Sequence, residues 1–288
     1  MPFAFAFALV LESVRRPKSV FKHSLMCGLT AIFSYGGARR PVDEGELARI
    51  DAHMIKRGPD GDGLWMAGDG LAGLAHRRLA IIDPGPGGAQ PMALDGPGGA
   101  TRLGIPYNGE IYNFRELREE LIAAGRPMRG NGDTGVLLTL YDRDGPERVQ
   151  RLRGMFALAI YDVAERSLFL ARDPFGIKPL YYADTASGFA FASEPQALIR
   201  AGLVQPRIRR SAATELLQLQ FSTGRGTIFE GIERVLPGET LVVTGGKVVE
   251  RRKRAALPDG GPESWTEAEA LEHLERALVD SVTVHQRS

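Results

Sequence analysis

The sequence predicts an α+β fold whose sheets are largely antiparallel. Patterns typical of strands outnumber patterns typical of amphipathic helices along the 288 residues. Most predicted strands are followed directly by another strand, across turns that draw on the 35 glycines and 18 prolines of the chain. Strands joined by short turns pair antiparallel, whereas parallel pairing needs long crossover connections. Helices combined with neighbouring strand pairs therefore favour the α+β class.

The first third of the chain is predicted to contain strands and one helix. Residues 27–33 form an apolar run that is typical of a buried strand. Asp43 and Glu46 resemble a capping box that starts a helix with Leu47, Ile50 and Met54 on one face. Further strands are predicted at residues 63–66, 71–75, 79–82 and 103–107.

The middle of the chain is predicted to form two helices followed by two hairpins. Asn113 with Glu116 indicates a helix start, and Gly125 ends that helix. A third helix is predicted from Asp133 to Gly145. In the two predicted hairpins, residues 155–161 pair with 167–171 and residues 180–183 pair with 189–192.

Beyond residue 205 the predicted elements are shorter and are separated by glycine-rich loops. They are a helix at 212–219 and a hairpin that turns at Gly245-Gly246. Residues 258–262 read Pro-Asp-Gly-Gly-Pro, which is typical of a linker, and Thr266 with Glu269 then caps a final amphipathic helix. We therefore predict four segments: a leader at 1–26, a main domain at 27–205, a linker with a short helix and a hairpin at 206–262, and the first helix of a further domain at 263–288.

Composition and charge exclude several classes of protein. Lys and Arg total 36 against 35 Asp and Glu, so the net charge of +1 argues against a surface that binds nucleic acid. Cys27 is the single cysteine, which excludes an intramolecular disulfide and any cysteine-cluster metal site. No apolar run approaches the roughly 18 residues of a membrane helix, and residues 3–11 lack the flanks of a signal peptide. We therefore expect a cytoplasmic protein with no membrane partner.

Six short motifs carry residue types suited to chemistry. They are Met-Cys-Gly at 26–28, Arg-Gly-Pro-Asp-Gly at 57–61, Ala-His-Arg-Arg-Leu-Ala-Ile-Ile-Asp at 75–83, Asn-Gly-Glu-Ile-Tyr-Asn at 108–113, Gly-Asp-Thr at 132–134 and Arg-Asp-Pro-Phe-Gly-Ile-Lys-Pro-Leu at 172–180. In this order and spacing they resemble the class II glutamine amidotransferase domain of asparagine synthetases, an N-terminal nucleophile hydrolase. The resemblance implies a four-layer α/β/β/α sandwich, with two antiparallel sheets between helical layers, and glutamine as the substrate.

The resemblance also implies catalytic roles for three residues. Cys27 would be the nucleophile and its own α-amine the base, which requires Cys27 to be the first residue of the mature chain. The unperturbed pKa values of an α-amine, about 7.7–8.0, and of a thiol, about 8.5, allow proton exchange near neutrality. The side-chain amide of Asn108 and the backbone N–H of Gly109 would form the oxyanion hole.

A clamp on the amino-acid end of glutamine is implied in the same way. Arg78 would bind the α-carboxylate through its planar fork, and Asp133 would receive the α-ammonium. The remaining pocket residues implied by the resemblance are Glu110 and a backbone wall formed by Leu79, Ala80, Ile81 and Ile82. Neither a metal site nor a cofactor is expected for this domain.

Several of these residues also have a simpler structural interpretation. Asn-Gly is the strongest short signal for a hairpin turn, so Asn108-Gly109 in isolation favours a turn. Cys27 alone would be a buried structural thiol, Arg78 an exposed strand residue, and Asp133 a helix N-cap, which does not exclude binding. Packing or hydrogen bonding without a catalytic role is predicted for His76, and a structural role for Arg172, Asp173, Lys178 and Pro179.

Three features depart from the family pattern. Twenty-six residues precede Cys27, so we expect the functional chain to begin at Met26 and to lose it. Gly135 stands where the family usually has Glu. The sequence contains no Ser-Gly-Gly-x-Asp-Ser pyrophosphate loop, so ATP and Mg are expected only in a synthetase domain that acts in cis or in trans.

The sequence therefore predicts the glutamine-hydrolysing part of an asparagine synthetase-like amidotransferase. The ammonia would serve the ATP-dependent amidation of aspartate or a similar carboxylate. Two alternatives stay open: an amidotransferase for another acceptor, such as a surface polysaccharide, and a catalytically silent regulatory or interaction domain. The oligomeric state is also open, a homodimer included.

Overall fold

The computed structural model describes residues 26–35, 40–257 and 260–286. The predicted leader lies outside these residues except for Met26, and so do Pro258 and Asp259 of the predicted linker.

Two antiparallel sheets form the framework of the described chain. The first sheet has six strands in the order β11-β9-β10-β1-β3-β2. These strands are β1 (Gly28–Phe33), β2 (Gly61–Met66), β3 (Ala72–Arg78), β9 (Tyr181–Thr185), β10 (Gly188–Ala192) and β11 (Glu233–Arg234).

The second sheet has seven strands, of which six follow the order β13-β12-β8-β7-β5-β4, while β6 also pairs with β7. These strands are β4 (Met92–Asp95), β5 (Thr101–Ile105), β6 (Tyr107–Ile111), β7 (Gly154–Asp162), β8 (Ser167–Arg172), β12 (Glu239–Thr244) and β13 (Lys247–Lys253).

The sheets pack face to face over an apolar core. Phe33 of β1 and Tyr161 of β7, one from each sheet, have ring centroids 5.4 Å apart. Along β1, Leu29, Ala31 and Phe33 join this inner core, whereas Ile32 faces the opposite side. Because both faces of β1 are covered, its residues are apolar on both faces, apart from the buried Thr30, and do not alternate with polar ones.

Six α-helices lie among the described residues: α1 (Glu44–Ala52), α2 (Phe114–Ala123), α3 (Asp133–Asp144), α4 (Pro195–Arg200), α5 (Arg210–Leu219) and α6 (Glu267–His285). Leu47 of α1 packs on the outer face of the first sheet, beside Ile32. Leu117 of α2 and Leu140 of α3 pack on the outer face of the second sheet. The four-layer α/β/β/α sandwich implied by the resemblance is therefore confirmed.

Two of the predicted strands differ from the structure. Residues 79–82 form no strand, because the N–H groups of Leu79 and Ala80 donate to Cys27 Sγ and Asp60 Oδ2 and not to a neighbouring strand. The prediction at 103–107 is divided at Pro106 into β5 and β6, since proline has no N–H for a continuous ladder. β4, β11 and α4 were not predicted.

The segment predicted as a linker at 206–262 contributes to both sheets. Its hairpin is β12–β13, and β12 pairs with β8 over residues 240–244, so this hairpin belongs to the second sheet. β11 pairs with β9 at the edge of the first sheet. A local composition of short elements and glycines resembles a linker, but long-range pairing with β8 makes this stretch part of the sandwich.

The final helix, α6, begins with the expected capping box between Thr266 and Glu269. Leu274 and Leu278 of its apolar stripe are more than half exposed. None of the helices described is long and apolar enough to cross a membrane.

Candidate active site

Most of the predicted site residues lie around one open cavity between the ends of the two sheets. The cavity has a volume of about 220 Å³. Its lining comes from separate stretches of chain: Met26 and Cys27; Arg78, Leu79, Ile81, Ile82, Gly88 and Gln90; Tyr107, Asn108, Gly109 and Glu110; Asp133 and Thr134; Met155; and Lys178.

Cys27 enters the cavity from the start of β1. The Leu79 N–H donates to Cys27 Sγ at 3.3 Å, and the thiol lies 3.5 Å from the Leu79 carbonyl oxygen. Arg57 Nε donates to the Cys27 carbonyl oxygen at 3.0 Å, and the Met26 N–H donates to the Arg57 carbonyl oxygen at 3.1 Å. The chain is thus anchored on both sides of Cys27, and its thiol lies at a cavity and not in the core.

The electrostatic surroundings of Cys27 act in opposite directions. Burial raises the pKa of the Cys27 thiol above its usual value. The Leu79 N–H and the positive charges of Lys178, Arg78 and Arg57 lower it, because each of them favours the thiolate. Burial is the largest of these effects, so the thiol is protonated at neutral pH unless a base accepts its proton.

Asn108 and Gly109 lie inside β6 and do not form a turn. They pair with Ala157 and Phe156 of β7, so the turn interpretation is wrong at this position. Tertiary pairing with β7 overrides the local turn preference of Asn-Gly. Gly109 leaves no room for a side chain, because a Cβ atom would lie 2.2 Å from the Met155 carbonyl oxygen.

The hydrogen-bond alternation along β6 indicates where the Gly109 N–H points. The Ala159 N–H donates to the Pro106 carbonyl oxygen, so even-numbered residues of β6 bond to β7 and odd-numbered ones face the opposite edge. In agreement, the N–H groups of Tyr107 and Ile111 donate to Gln90 Oε1 and Asp133 Oδ2, at 2.7 and 3.1 Å. By this alternation, the Gly109 N–H also points away from β7.

The Asn108 side chain is the second polar group of this strand. It is 1% exposed, and its Nδ2 makes no hydrogen bond within the described part of the chain. A buried amide donor without a partner costs about 1–3 kcal/mol, so most such groups in proteins are paired. Two donors, the Asn108 amide and the Gly109 N–H, therefore come from adjacent residues at the cavity.

Asp133 is the first residue of α3, and Gly132 occupies the N-cap position that was considered for Asp133. Its Oδ2 accepts hydrogen bonds from the Tyr107 hydroxyl at 2.8 Å and from the Ile111 N–H at 3.1 Å. Burial nevertheless raises the pKa of Asp133 to about 6, and the hydrogen bonds only partly offset that rise. A cationic partner would favour its ionised form.

Arg78 ends β3 at the cavity edge. Its Nη1 donates to the Gly85 carbonyl oxygen at 3.2 Å, and its Nη2 donates to the Asp83 carbonyl oxygen. Gly88 makes room for this guanidinium, since a Cβ atom there would lie 2.4 Å from Nη2. The loop after β3 thus holds the Arg78 side chain in a half-buried position. Arg78 is therefore not the exposed strand residue that its local pattern suggested.

Three of the four residues predicted to form a backbone wall lie at the cavity. Leu79, Ile81 and Ile82 line the cavity, as does Glu110, whereas Ala80 does not. The Ala80 N–H instead donates to Asp60 Oδ2 at 3.0 Å, which turns this residue away.

Lys178 lies at the cavity, although only a structural role was predicted for it. Asp173 anchors its loop by accepting from the N–H groups of Phe175, Ile177 and Lys178, but the Lys178 side chain lines the cavity and is buried. Burial lowers the pKa of its ammonium, and the negative charge of Glu110 opposes that effect. The motif at 172–180 contained this lysine, yet nothing in the local pattern indicated the direction of its side chain.

No role was predicted for Gln90 or for Thr134, although Thr134 belongs to the Gly-Asp-Thr motif. Gln90 accepts from the Tyr107 N–H through Oε1 and donates to Thr134 Oγ1 at 3.2 Å through Nε2. These contacts link three stretches of chain, and no short motif marks them. Among the described residues, no group of three or more His, Cys, Asp or Glu side chains could hold a metal ion.

Comparison with known proteins agrees with this arrangement. A family model described as a glutamine amidotransferase domain matches residues 26–253. The chain is 35% identical to asparagine synthetase [glutamine-hydrolyzing] 1 of Bacillus subtilis (strain 168), over 91% of this chain and 40% of the relative. It is 32% identical to amidase chry2 of Gibberella zeae, over 75% of this chain and 32% of that protein. The chain therefore spans less than half the length of these curated relatives.

Among solved structures, the fold is similar to glutamine phosphoribosylpyrophosphate amidotransferase from B. subtilis in complex with ADP and GMP. The TM-score is 0.57 at 19% sequence identity, and the match covers 79% of this chain and 49% of that one. At this identity the likeness concerns the fold alone.

Proposed function

The chain belongs to the glutamine amidotransferase family, and from this premise we propose that it hydrolyses the side-chain amide of glutamine at the Cys27 cavity. The products are glutamate and ammonia. The ammonia serves the amidation of an activated carboxylate, such as that of aspartate.

The observation that carries the proposal is the pair of hydrogen-bond donors on β6. The Asn108 amide is buried without a partner in the described chain, and the alternation along β6 directs the Gly109 N–H to the edge away from β7. Both residues line the same cavity as Cys27. A tetrahedral intermediate on Cys27 would carry a negative oxygen, which two such donors stabilise, and each donor contributes about 2.7–4 kcal/mol to the transition state.

The reaction proceeds through a thioester. Cys27 Sγ attacks the amide carbon of glutamine, the C–N bond breaks, and the nitrogen leaves as ammonia after accepting a proton. Water then attacks the thioester, which releases glutamate and restores the thiol. No nucleotide or other cofactor takes part in these steps.

The base for this chemistry is the α-amine of Cys27. It exists only after the peptide bond between Met26 and Cys27 is cleaved, because an amide nitrogen is not basic. We propose that processing at this bond activates the enzyme. A chain that retains Met26 then corresponds to the silent alternative, since its buried thiol is protonated and the charged groups that act on it, Lys178, Arg78 and Arg57, are cations.

Arg78 and Asp133 bind the amino-acid end of glutamine in this proposal. Both side chains line the cavity, and they carry the charges that complement an α-carboxylate and an α-ammonium. The ammonium stabilises the ionised form of Asp133, which burial disfavours by raising the pKa of its carboxyl to about 6. Glu110 and the carbonyl groups of the segment after β3 complete the pocket.

The acceptor half of the reaction needs a synthetase partner, in cis or in trans. The relative from B. subtilis is named a glutamine-hydrolysing asparagine synthetase, and this chain spans 40% of it. ATP and Mg are needed only by that partner.

The test compares two forms of the protein, one that starts at Cys27 and one that retains residues 1–26. We expect glutamate and ammonia in equal amounts from the first form and no turnover from the second. Cys27→Ala in the first form is the matched control and should be inactive. Full activity of the longer form with its N-terminus intact by mass spectrometry would contradict the α-amine mechanism.

The need for a synthetase partner is tested by adding aspartate and Mg-ATP to the Cys27-started form. Glutamate and ammonia without asparagine or pyrophosphate are expected. Stoichiometric asparagine and pyrophosphate would show that this chain itself holds a nucleotide site.

A further inference from the structure

His76 connects the two sheets directly behind the cavity. It lies on β3, between Leu29 of β1 and Gly63 of β2, and its side chain is fully buried. Its Nε2 is 2.9 Å from the Tyr107 carbonyl oxygen of β6, in the other sheet. A carbonyl oxygen only accepts hydrogen bonds, so Nε2 carries the hydrogen and donates it.

The imidazole of His76 is neutral at physiological pH. Burial lowers its pKa to about 4, and the nearby charge of Arg78 acts in the same direction. Its Nδ1 makes no hydrogen bond within the described part of the chain. A neutral imidazole has one N–H, so the bond to Tyr107 is the one hydrogen bond that His76 can donate.

Tyr107 is the residue through which His76 reaches the cavity. Because odd-numbered residues of β6 face away from β7, the Tyr107 carbonyl is not part of the β6–β7 ladder. Its N–H donates to Gln90 Oε1 and its hydroxyl to Asp133 Oδ2. The Tyr107 carbonyl also belongs to the peptide group that joins Tyr107 to Asn108, so a bond to this carbonyl sets the plane from which Asn108 extends.

We propose that His76 is a positioning residue for glutamine hydrolysis. Its Nε2–H holds the Tyr107–Asn108 peptide and thereby aims the Asn108 amide at the developing oxyanion. His76 is not among the residues that line the cavity, so it acts through Tyr107 and not on the substrate. This inference rests on the proposed function, in which Asn108 is an oxyanion donor.

Loss of the His76 hydrogen bond is expected to destabilise the transition state and not the bound substrate. Glutamine is bound by groups other than the oxyanion donors, so a displaced Asn108 amide lowers kcat and leaves KM unchanged. A displacement of about 1 Å at a reacting centre can cost roughly 10²-fold in rate.

The experiment compares three variants in the Cys27-started protein. His76→Leu removes the donor and retains apolar bulk. His76→Asn places its amide nitrogen near the position of Nδ1, too short to reach the Tyr107 carbonyl, whereas the longer side chain of His76→Gln places a donor near the position of Nε2. The last two variants differ by one methylene group, so they form the matched pair.

We expect His76→Leu and His76→Asn to lower kcat by about 10²-fold with unchanged KM, and His76→Gln to restore most of the loss. Thermal unfolding of all three variants separates this effect from misfolding, and if His76→Leu does not fold, the Asn and Gln pair decides. Equal kcat values for His76→Asn and His76→Gln, or a rise in KM that accounts for the loss, would overturn the inference. A wild-type protein that starts at Cys27 and does not hydrolyse glutamine would instead refute the proposed function itself.

Discussion

Replacing Asp133 by Asn is expected to stabilise the folded protein at neutral pH while it weakens glutamine binding. Asp133 is 4% exposed, and burial raises the pKa of its carboxyl from 3.8 to about 6. An Asn side chain can still accept hydrogen bonds from the Tyr107 hydroxyl and the Ile111 N–H through its oxygen. The substitution thus removes a buried negative charge and keeps these two bonds, whereas the N–H groups of Asp133 and Thr134 lose a carboxylate acceptor.

The magnitude follows from the pKa values of the folded and unfolded chain. The Asp133 carboxyl binds its proton more tightly in the folded state than in the unfolded state. Its contribution to the free energy of unfolding is therefore fully present below about pH 4 and is lost as the pH rises through about 6. A shift from 3.8 to about 6 corresponds to about 3 kcal/mol. Between pH 4 and pH 7.5, the free energy of unfolding of the Asn variant should therefore rise by up to about 3 kcal/mol relative to that of the wild type.

Urea unfolding of both proteins between pH 4 and 8 measures this difference. Asp62→Asn, which removes a carboxylate that is 69% exposed, is the control for the loss of one charge. A stability difference between Asp133→Asn and the wild type that does not change with pH would refute the argument. In the Cys27-started form, the same variant should raise the KM for glutamine, because a neutral amide cannot pair with the α-ammonium.

Three further substitutions in the Cys27-started form test the other residues of the cavity. Asn108→Ala removes one oxyanion donor and should lower kcat by about 10²–10³-fold with little change in KM, measured as glutamate release; a change confined to KM would contradict the assignment. Arg78→Lys replaces a planar fork by a point charge and should raise the KM for glutamine about tenfold or more, and a wild-type KM would argue against a carboxylate clamp. Lys178→Met removes a charge that lowers the pKa of Cys27, so the thiol pKa should rise and alkylation of this single cysteine by iodoacetamide at pH 8 should slow; an unchanged rate would show that Lys178 does not act on the thiolate.

The sequence alone predicted those elements whose signals are local. The helix starts at Asp43 and Thr266 are confirmed by side-chain bonds to N–H groups three residues later. The two hairpins β7–β8 and β9–β10 were predicted correctly because each depends on a short turn between adjacent strands. The family was also evident from the sequence, since six motifs in one order are highly specific.

Only the tertiary structure decided how β6 and the segment after β3 are arranged. Asn108-Gly109 has the local signature of a turn, yet pairing with Ala157 and Phe156 makes it a strand with two donors at the cavity. Residues 79–82 have the apolar character of a strand, yet the bond from the Leu79 N–H to Cys27 Sγ, 52 positions away, takes them out of the sheet. In both cases a distant partner, which no local pattern reveals, outweighs the preference of the segment.

The same reason accounts for contacts at and behind the cavity that the sequence did not reveal. His76 bonds to a carbonyl 31 positions away, Tyr107 to a carboxylate 26 positions away, and Gln90 to an N–H 17 positions away. Motifs indicated the residues that we propose to carry the chemistry, because those residue types are needed for the reaction itself. The groups that hold them in place depend on which strands and loops meet in space, and hydrogen bonding between sequence-distant groups is set only when the chain has folded.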